Sequence, residues 1–270
     1  MTHTLRPLSL GQLLDETFNI YRRNFLLFVG ISAVPNIALL LLQFVFAALA
    51  VSGSQSIGIV AVLAGLGTIV ASLFVSSIVT AATTFGVSDV YLDRPTSMVA
   101  CFSRVGSKAL RVIFVSFVVG LIVGLGSLLC LVPGIYWAGV YGIAIPAVVL
   151  ENITGGQALT RSSNLTKGSV GRVIVVYFLT AIFTLCMAIA LSMAVTALGS
   201  VAFHDTGIFS RQVFQEILST LGGILFGPIT AIALTLVYYD QRVRKEAFDI
   251  EHMMSMMGGP ENRASGTSAS

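Results

Sequence analysis

The sequence predicts an all-α membrane protein: six transmembrane helices built as three repeated units, each a surface helix followed by a helical hairpin. Hydrophobic residues make up 56% of the chain and charged residues only 10%, where a soluble domain carries roughly 25% charged residues. Charge is absent from Asn24 to Ser88, from Val112 to Leu150, from Val173 to His204 and from Ile217 to Tyr239. Each run holds the roughly 20 residues that a spanning helix needs, and two of the runs hold a pair of such helices. The polar junctions between the runs also resemble one another, which points to a repeat.

The elements follow in order. Met1 to Gly11 lacks the basic start, short apolar core and small-residue cleavage site of a removable signal peptide, so insertion is expected to rely on the first span. Residues 1–23 read as an N-terminal interfacial segment. Within it Ser9 and Gln12 form a capping box, and Leu10, Leu13, Leu14, Phe18 and Tyr21 recur at helical spacing. Gln12, Asp15, Glu16 and Asn19 make its polar face, and it ends on Tyr21-Arg22-Arg23, an aromatic and two cations suited to the headgroup layer.

Residues 24–252 form the membrane domain. The first span runs from about Asn24 to Val51 with Pro35 as an expected kink, turns at Ser52 to Ser56, and is followed by a second span to about Leu92. A surface helix is expected near 96–108, with Pro95 at its start. The third span covers about Ala109 to Leu131 and the fourth Pro133 to Leu150, joined by a very short uncharged turn. Another surface helix, near 154–167, opens on the capping box of Thr154 and Gln157. The fifth span runs from about Ser169 to Ser200 and the sixth from about Phe214 to Tyr239. Residues 253–270, Met-rich and then rich in Gly, Ser and Ala, are expected to be a disordered tail. Gly120-x-x-x-Gly124 in the third span reads as a small-residue packing motif within the molecule.

Three comparisons suggest the repeat. The re-entry points Arg111-Val-Ile-Phe-Val-Ser-Phe117 and Arg172-Val-Ile-Val-Val-Tyr-Phe178 agree at five of seven positions. Three spans end on an acid, at Asp93, Glu151 and Asp240, and two surface segments open on capping boxes. With two spans per unit, all surface helices fall on one face, as parallel repeats about an axis along the membrane normal. Of the 15 basic residues all but Arg211 belong to that face, so the positive-inside rule makes it cytoplasmic together with both termini. The chain is thus expected in the bacterial plasma membrane as a multi-pass protein.

Catalytic, cofactor and metal sites are expected to be absent. His3, His204 and His252 lie far apart with no ligand spacing, and no nucleophile elbow, zinc-protease motif or phosphate loop occurs. Cys101, Cys130 and Cys186 form no CxxC pair and read as small packing residues. A net charge of +3 spread over loops excludes a nucleic-acid surface. The chemically active feature is the set of charges at span ends: Asp93, Arg94, Glu151, Arg161, Lys167, Arg172, Asp240, Arg242 and Arg244. An acid at a helix C-terminus opposes the macrodipole and calls for a cationic partner. Two readings stand side by side: structural ion pairs that fasten the surface helices, or a cluster binding an anionic headgroup or solute.

The stretch Leu8-Ser9-Leu10-Gly11-Gln12-Leu13-Leu14-Asp15-Glu16-Thr17-Phe18, with Tyr21-Arg22-Arg23-Asn24-Phe25, Pro146 to Glu151, Ala158 to Ser162, Leu165 to Gly168 and Tyr239 to Glu246, resembles the membrane domain found N-terminal to some bacterial glycerophosphodiester phosphodiesterases. Relatives consisting of that domain alone are of unknown function. In the fused members catalysis belongs to a soluble barrel, so the resemblance implies no activity for these 270 residues. The function expected is a non-enzymatic scaffold that binds membrane lipids or a protein partner through its cytoplasmic surface helices. The alternative is a carrier for a small solute or lipid, whose pathway would draw together Asn36, Gln43, Thr80, Thr83, Thr84 and Thr180.

Overall fold

The computed structural model describes residues 8–52, 57–202 and 208–257. Within them every regular element is an α-helix: α1 (Leu10–Arg23), α2 (Phe25–Ser52), α3 (Ile57–Tyr91), α4 (Met98–Gly106), α5 (Ala109–Leu129), α6 (Leu131–Tyr141), α7 (Ala144–Leu150), α8 (Gly155–Thr166), α9 (Val170–Ala202) and α10 (Ile208–Met257). Six stretches are long and apolar enough to cross a membrane: Phe25–Phe46, Val62–Tyr91, Ala109–Leu129, Leu131–Leu150, Val170–Ala197 and Val213–Glu246. The chain therefore has the architecture of a multi-pass membrane protein.

The short helices α1, α4 and α8 gather at one end of the bundle, and the sequence dictates how each begins. Capping boxes close at Ser9 with Gln12 and at Thr154 with Gln157; in each the Gln Oε1 accepts the cap residue's N–H at 3.0 Å. α4 starts two residues later than expected, with Ser97 as N-cap, so Pro95 lies outside the helix rather than in its first turn. The reason is that Ser97 Oγ accepts the N–H of Ala100, an interaction that neither Thr96 nor Pro95 makes. Only Asn24 separates α1 from α2, and its side-chain amide donates to the C=O of Ile20 at 3.2 Å.

The fourth span departs from the single helix expected over Pro133 to Leu150. It breaks between Tyr141 and Ala144 into α6 and α7, because Pro146 has no N–H to give the C=O of Gly142 and its ring crowds that carbonyl. The Val140 C=O at this break is taken from outside the helix, by Ser162 Oγ at 2.7 Å and Thr166 Oγ1 at 3.3 Å, both buried on α8. A surface helix thus completes the backbone hydrogen bonding of a broken span.

Pro133 falls inside the first turn of α6, where a missing N–H does no harm. The turn before it is the single residue Cys130, in extended conformation. So short a link requires close approach of α5 and α6. A Cβ at Gly134 would lie 2.1 Å from Ser127 Oγ and 2.8 Å from its Cα. Gly120 and Gly124, by contrast, face open space and do not pack as expected.

Each hairpin has an inner and an outer helix at the surface-helix end. α3, α7 and α10 touch one another, and their Val87, Tyr91, Ile143, Ala147, Ile232 and Leu236 form a core that also takes in Leu13 and Ile20 of α1 and Leu165 of α8. Towards the other end large apolar side chains are exposed, among them Leu41, Val62, Leu128, Leu129 and Met193. In a bilayer those positions meet lipid, which is as apolar as they are.

Lengths differ too. At 1.5 Å per residue α3 (35 residues) and α9 (33 residues) are about 50 Å long, whereas α5 (21 residues) matches the roughly 30 Å hydrocarbon thickness. The sixth span does not stop at Tyr239: α10 runs 50 residues to Met257, so the expected tail is helical through 257. Residues 258–270 lie outside the described residues.

Candidate functional site

The charged end of the bundle is built on the last turn of α3, the C-cap of α7 and an interior stretch of α10, where the three buried or half-buried carboxylates Asp89, Glu151 and Asp240 stand. Each is engaged by a group from a neighbouring segment. Asp89, 2% exposed, accepts two hydrogen bonds from the Arg104 guanidinium of α4, which lies 5.0 Å from the centroid of the Phe85 ring. Lys108 Nζ stands over the same ring and donates to the Val149 C=O at 2.7 Å, joining the start of α5 to the end of α7. Burial holds the Lys108 ammonium below the usual lysine range, helped by the cations of Arg111 and Arg104.

Glu151 organises a second network. Arg161 Nε of α8 lies 2.9 Å from both of its oxygens, and the Tyr238 hydroxyl donates to Oε1 at 2.7 Å. The far side of the Arg161 guanidinium reaches Glu246, which also takes Arg242 Nε at 2.9 Å. Burial opposes the charge on Arg161, but hydrogen bonds from Glu246 and Glu151 outweigh it and raise its pKa. Lys245 donates to the carbonyls of Asn164 and Lys167, satisfying the C-terminus of α8.

Asp240 is the most enclosed acid, with no exposed side-chain surface. Arg244 Nε binds both of its oxygens at 3.0–3.1 Å, Arg172 Nε lies 3.0 Å from Oδ2, and the Leu8 N–H donates to Oδ1 at 2.8 Å. The Arg172 contact is ionic only, since its Nε–H is not aligned on the carboxylate. Arg172 and Arg244 each extend an Nη2 to the Leu8 C=O. The chain before α1 is therefore clamped to α10 at Asp240 and Arg244, with Tyr21 of α1 donating to the Leu225 C=O of the same helix.

Of the nine charges singled out from sequence, Glu151, Arg161 and Arg242 meet in one network and Arg172, Asp240 and Arg244 in another. Asp93, Arg94 and Lys167 join neither. Lys167 caps α8 through its backbone with its side chain exposed. Asp93 and Arg94 line a polar cavity of about 670 Å³ between α1 and the α3–α4 link, together with Glu16, Asn19, Arg23 and Asn24. Arg104, Glu246 and the Leu8 backbone were not singled out. Arg104 lies in the last turn of a surface helix rather than at a span end, and the Leu8 backbone carries no side-chain signal.

Two apolar clefts lie among the spans. One, of about 780 Å³, lies between α9 and α10; the other, of about 720 Å³, is bounded by α3, α5 and α6 and includes Thr80 and Gly120. Of the six polar residues expected to share a pathway, Thr80 alone lines either cleft. Asn36, Thr80, Thr84 and Thr180 each spend a hydrogen bond on the preceding turn of their own helix. Among the described residues no three His, Cys, Asp or Glu side chains cluster as metal ligands would.

Fold and charged end together define an all-helical multi-pass membrane protein with surface helices fastened at one end. No family model, curated protein or solved structure matches the chain.

Proposed function

We propose that this chain is a non-enzymatic, lipid-engaging scaffold of a bacterial plasma membrane, with α1, α4 and α8 on the cytoplasmic face. One observation carries this reading: Asp89, Glu151, Asp240 and Glu246 are already saturated by Arg104, Arg161, Arg172, Arg242 and Arg244, while Arg22, Arg111 and Lys167 are exposed with no carboxylate partner among the described residues. Buried acids neutralise the inner cations and leave outward ones for phosphates. Such residual bases are each worth about 1 kcal/mol at an anionic membrane surface.

The pairing also supports the threefold repeat. An acid near the end of one unit holds the surface segment of the next: Asp89, one turn before the Asp93 expected from sequence, holds Arg104 of α4, Glu151 holds Arg161 of α8, and Asp240 holds Leu8 ahead of α1. The resemblance to the phosphodiesterase membrane domain rests on these same boundary segments, and their role here is fastening rather than hydrolysis. A carrier role draws less support, because four of the six polar side chains it would use, those of Asn36, Thr80, Thr84 and Thr180, are hydrogen-bonded within their own helices.

The test is stabilisation of the detergent-purified protein by added phosphatidylglycerol. The wild-type melting temperature rises, and the triple variant Arg22→Gln, Arg111→Gln, Lys167→Gln loses most of the rise. An equal rise in the triple variant sinks the reading.

A further inference from the structure

The cavity between α1 and the α3–α4 link differs from the rest of the charged end in one respect. Around Asp89, Glu151 and Asp240 opposite charges meet, yet here two guanidiniums, Arg23 and Arg94, and two carboxylates, Glu16 and Asp93, line one space of about 670 Å³ without any ion pair among them. Neither guanidinium donates a hydrogen bond to a described residue. Asp93 is held in the left-handed conformation (φ 52°), with its own N–H bonded to Val90 C=O and the N–H of Arg94 bonded to Asp89 C=O. Arg23 is fixed at the last residue of α1, whose other face is buried through Leu13, Thr17 and Ile20.

The polar wall is completed by Asn19 and Asn24 and the floor by Ile20, Val90 and Tyr91. Directly after Asn24 come Phe25 and Leu26, 41% and 80% exposed at the start of a membrane-competent helix. The cavity therefore stands where apolar surface gives way to charge, at headgroup depth. Its lining is balanced in charge, with a cationic pair for a phosphate and an anionic pair for an amine.

We infer that this cavity binds a phosphoethanolamine group, with Arg23 and Arg94 on the phosphate and Glu16 and Asp93 on the primary ammonium. The inference rests on the lipid-engaging reading above and narrows it to one site and one headgroup chemistry. A quaternary ammonium cannot donate to the carboxylates, and a glycerol headgroup offers them no charge, so both are disfavoured.

The experiment follows the melting of the full chain in detergent with dioleoylphosphatidylethanolamine, dioleoylphosphatidylcholine, dioleoylphosphatidylglycerol or water-soluble O-phosphoethanolamine added. The ethanolamine lipid is expected to bind about tenfold tighter than the choline lipid. Arg23→Gln with Arg94→Gln abolishes the ethanolamine response, the corresponding lysine pair keeps part of it, and Glu16→Gln with Asp93→Asn equalises the ethanolamine and choline lipids. An unchanged lipid-free melting temperature shows the variants intact, since these side chains hold no partner in the fold. O-phosphoethanolamine acting as strongly as the lipid assigns the site to a soluble ester, and its inactivity assigns it to the membrane. Equal responses to ethanolamine and choline lipids in the wild type overturn the inference, even where phosphatidylglycerol still stabilises and the scaffold reading survives. No response to any lipid overturns both.

Discussion

At the scale of single residues the charged end separates fasteners from free charges. Asp240 is enclosed and flanked by Arg172 and Arg244, so Asp240→Asn leaves two guanidiniums facing each other and a weakened clamp on Leu8. Removing one partner of a buried pair costs about 3–5 kcal/mol, and denaturant unfolding in micelles should show a loss of that order. Glu246 is 42% exposed between Arg161 and Arg242. Its replacement by Ala should cost less than about 1 kcal/mol in the same assay, as exposed pairs do. Sequence spacing made the Glu151–Arg161 pair readable, because a capped helix ten residues on brings a base back to the acid that precedes it. It could not reveal that Asp240 accepts from the Leu8 N–H, 232 positions away.

Among the elements α8 carries the clearest consequence. Its Ser162 and Thr166 supply the hydrogen bonds that the break in the fourth span needs, so surface helix and span depend on each other. Ser162→Ala with Thr166→Val strands the buried Val140 carbonyl, at a cost of about 1–3 kcal/mol. Amide exchange should then rise across residues 141–146 and across α8 together; a rise in α8 alone would refute the coupling. Loosening α8 at its cap gives the complementary case. Thr154→Ala should cost about 1 kcal/mol and raise exchange chiefly in the first turn of α8. Pro146 and the residues around it announce a disturbed helix, yet the partner that repairs it lies on another helix and shows no periodic signal.

For the whole molecule, the proposed orientation makes a topological prediction. In a cysteine-free background, a membrane-impermeant maleimide applied to intact cells should label Asp205→Cys, between α9 and α10, and spare Gly156→Cys on α8. The reverse pattern would invert the proposed orientation. The bundle is closed at its charged end and open at the other, where the spans bury little of their surface against one another. Lipid is thus an expected part of its solvation there.

Hydropathy acts locally, so the amino-acid sequence alone determined six membrane-competent helices, the junctions that carry charge and the caps that begin α1 and α8. Glu151 and Asp240 were visible as well, since an acid ending an apolar run stands out, whereas in the first unit the acid expected was Asp93 and the one buried and paired is Asp89, a turn earlier. Pairing is a different kind of property, because it depends on which helix ends come within about 4 Å once the inner helices have packed. Only the tertiary structure decided that Arg104, Arg172 and Arg244 neutralise buried acids, and that Arg23 and Arg94 are left over beside Glu16 and Asp93.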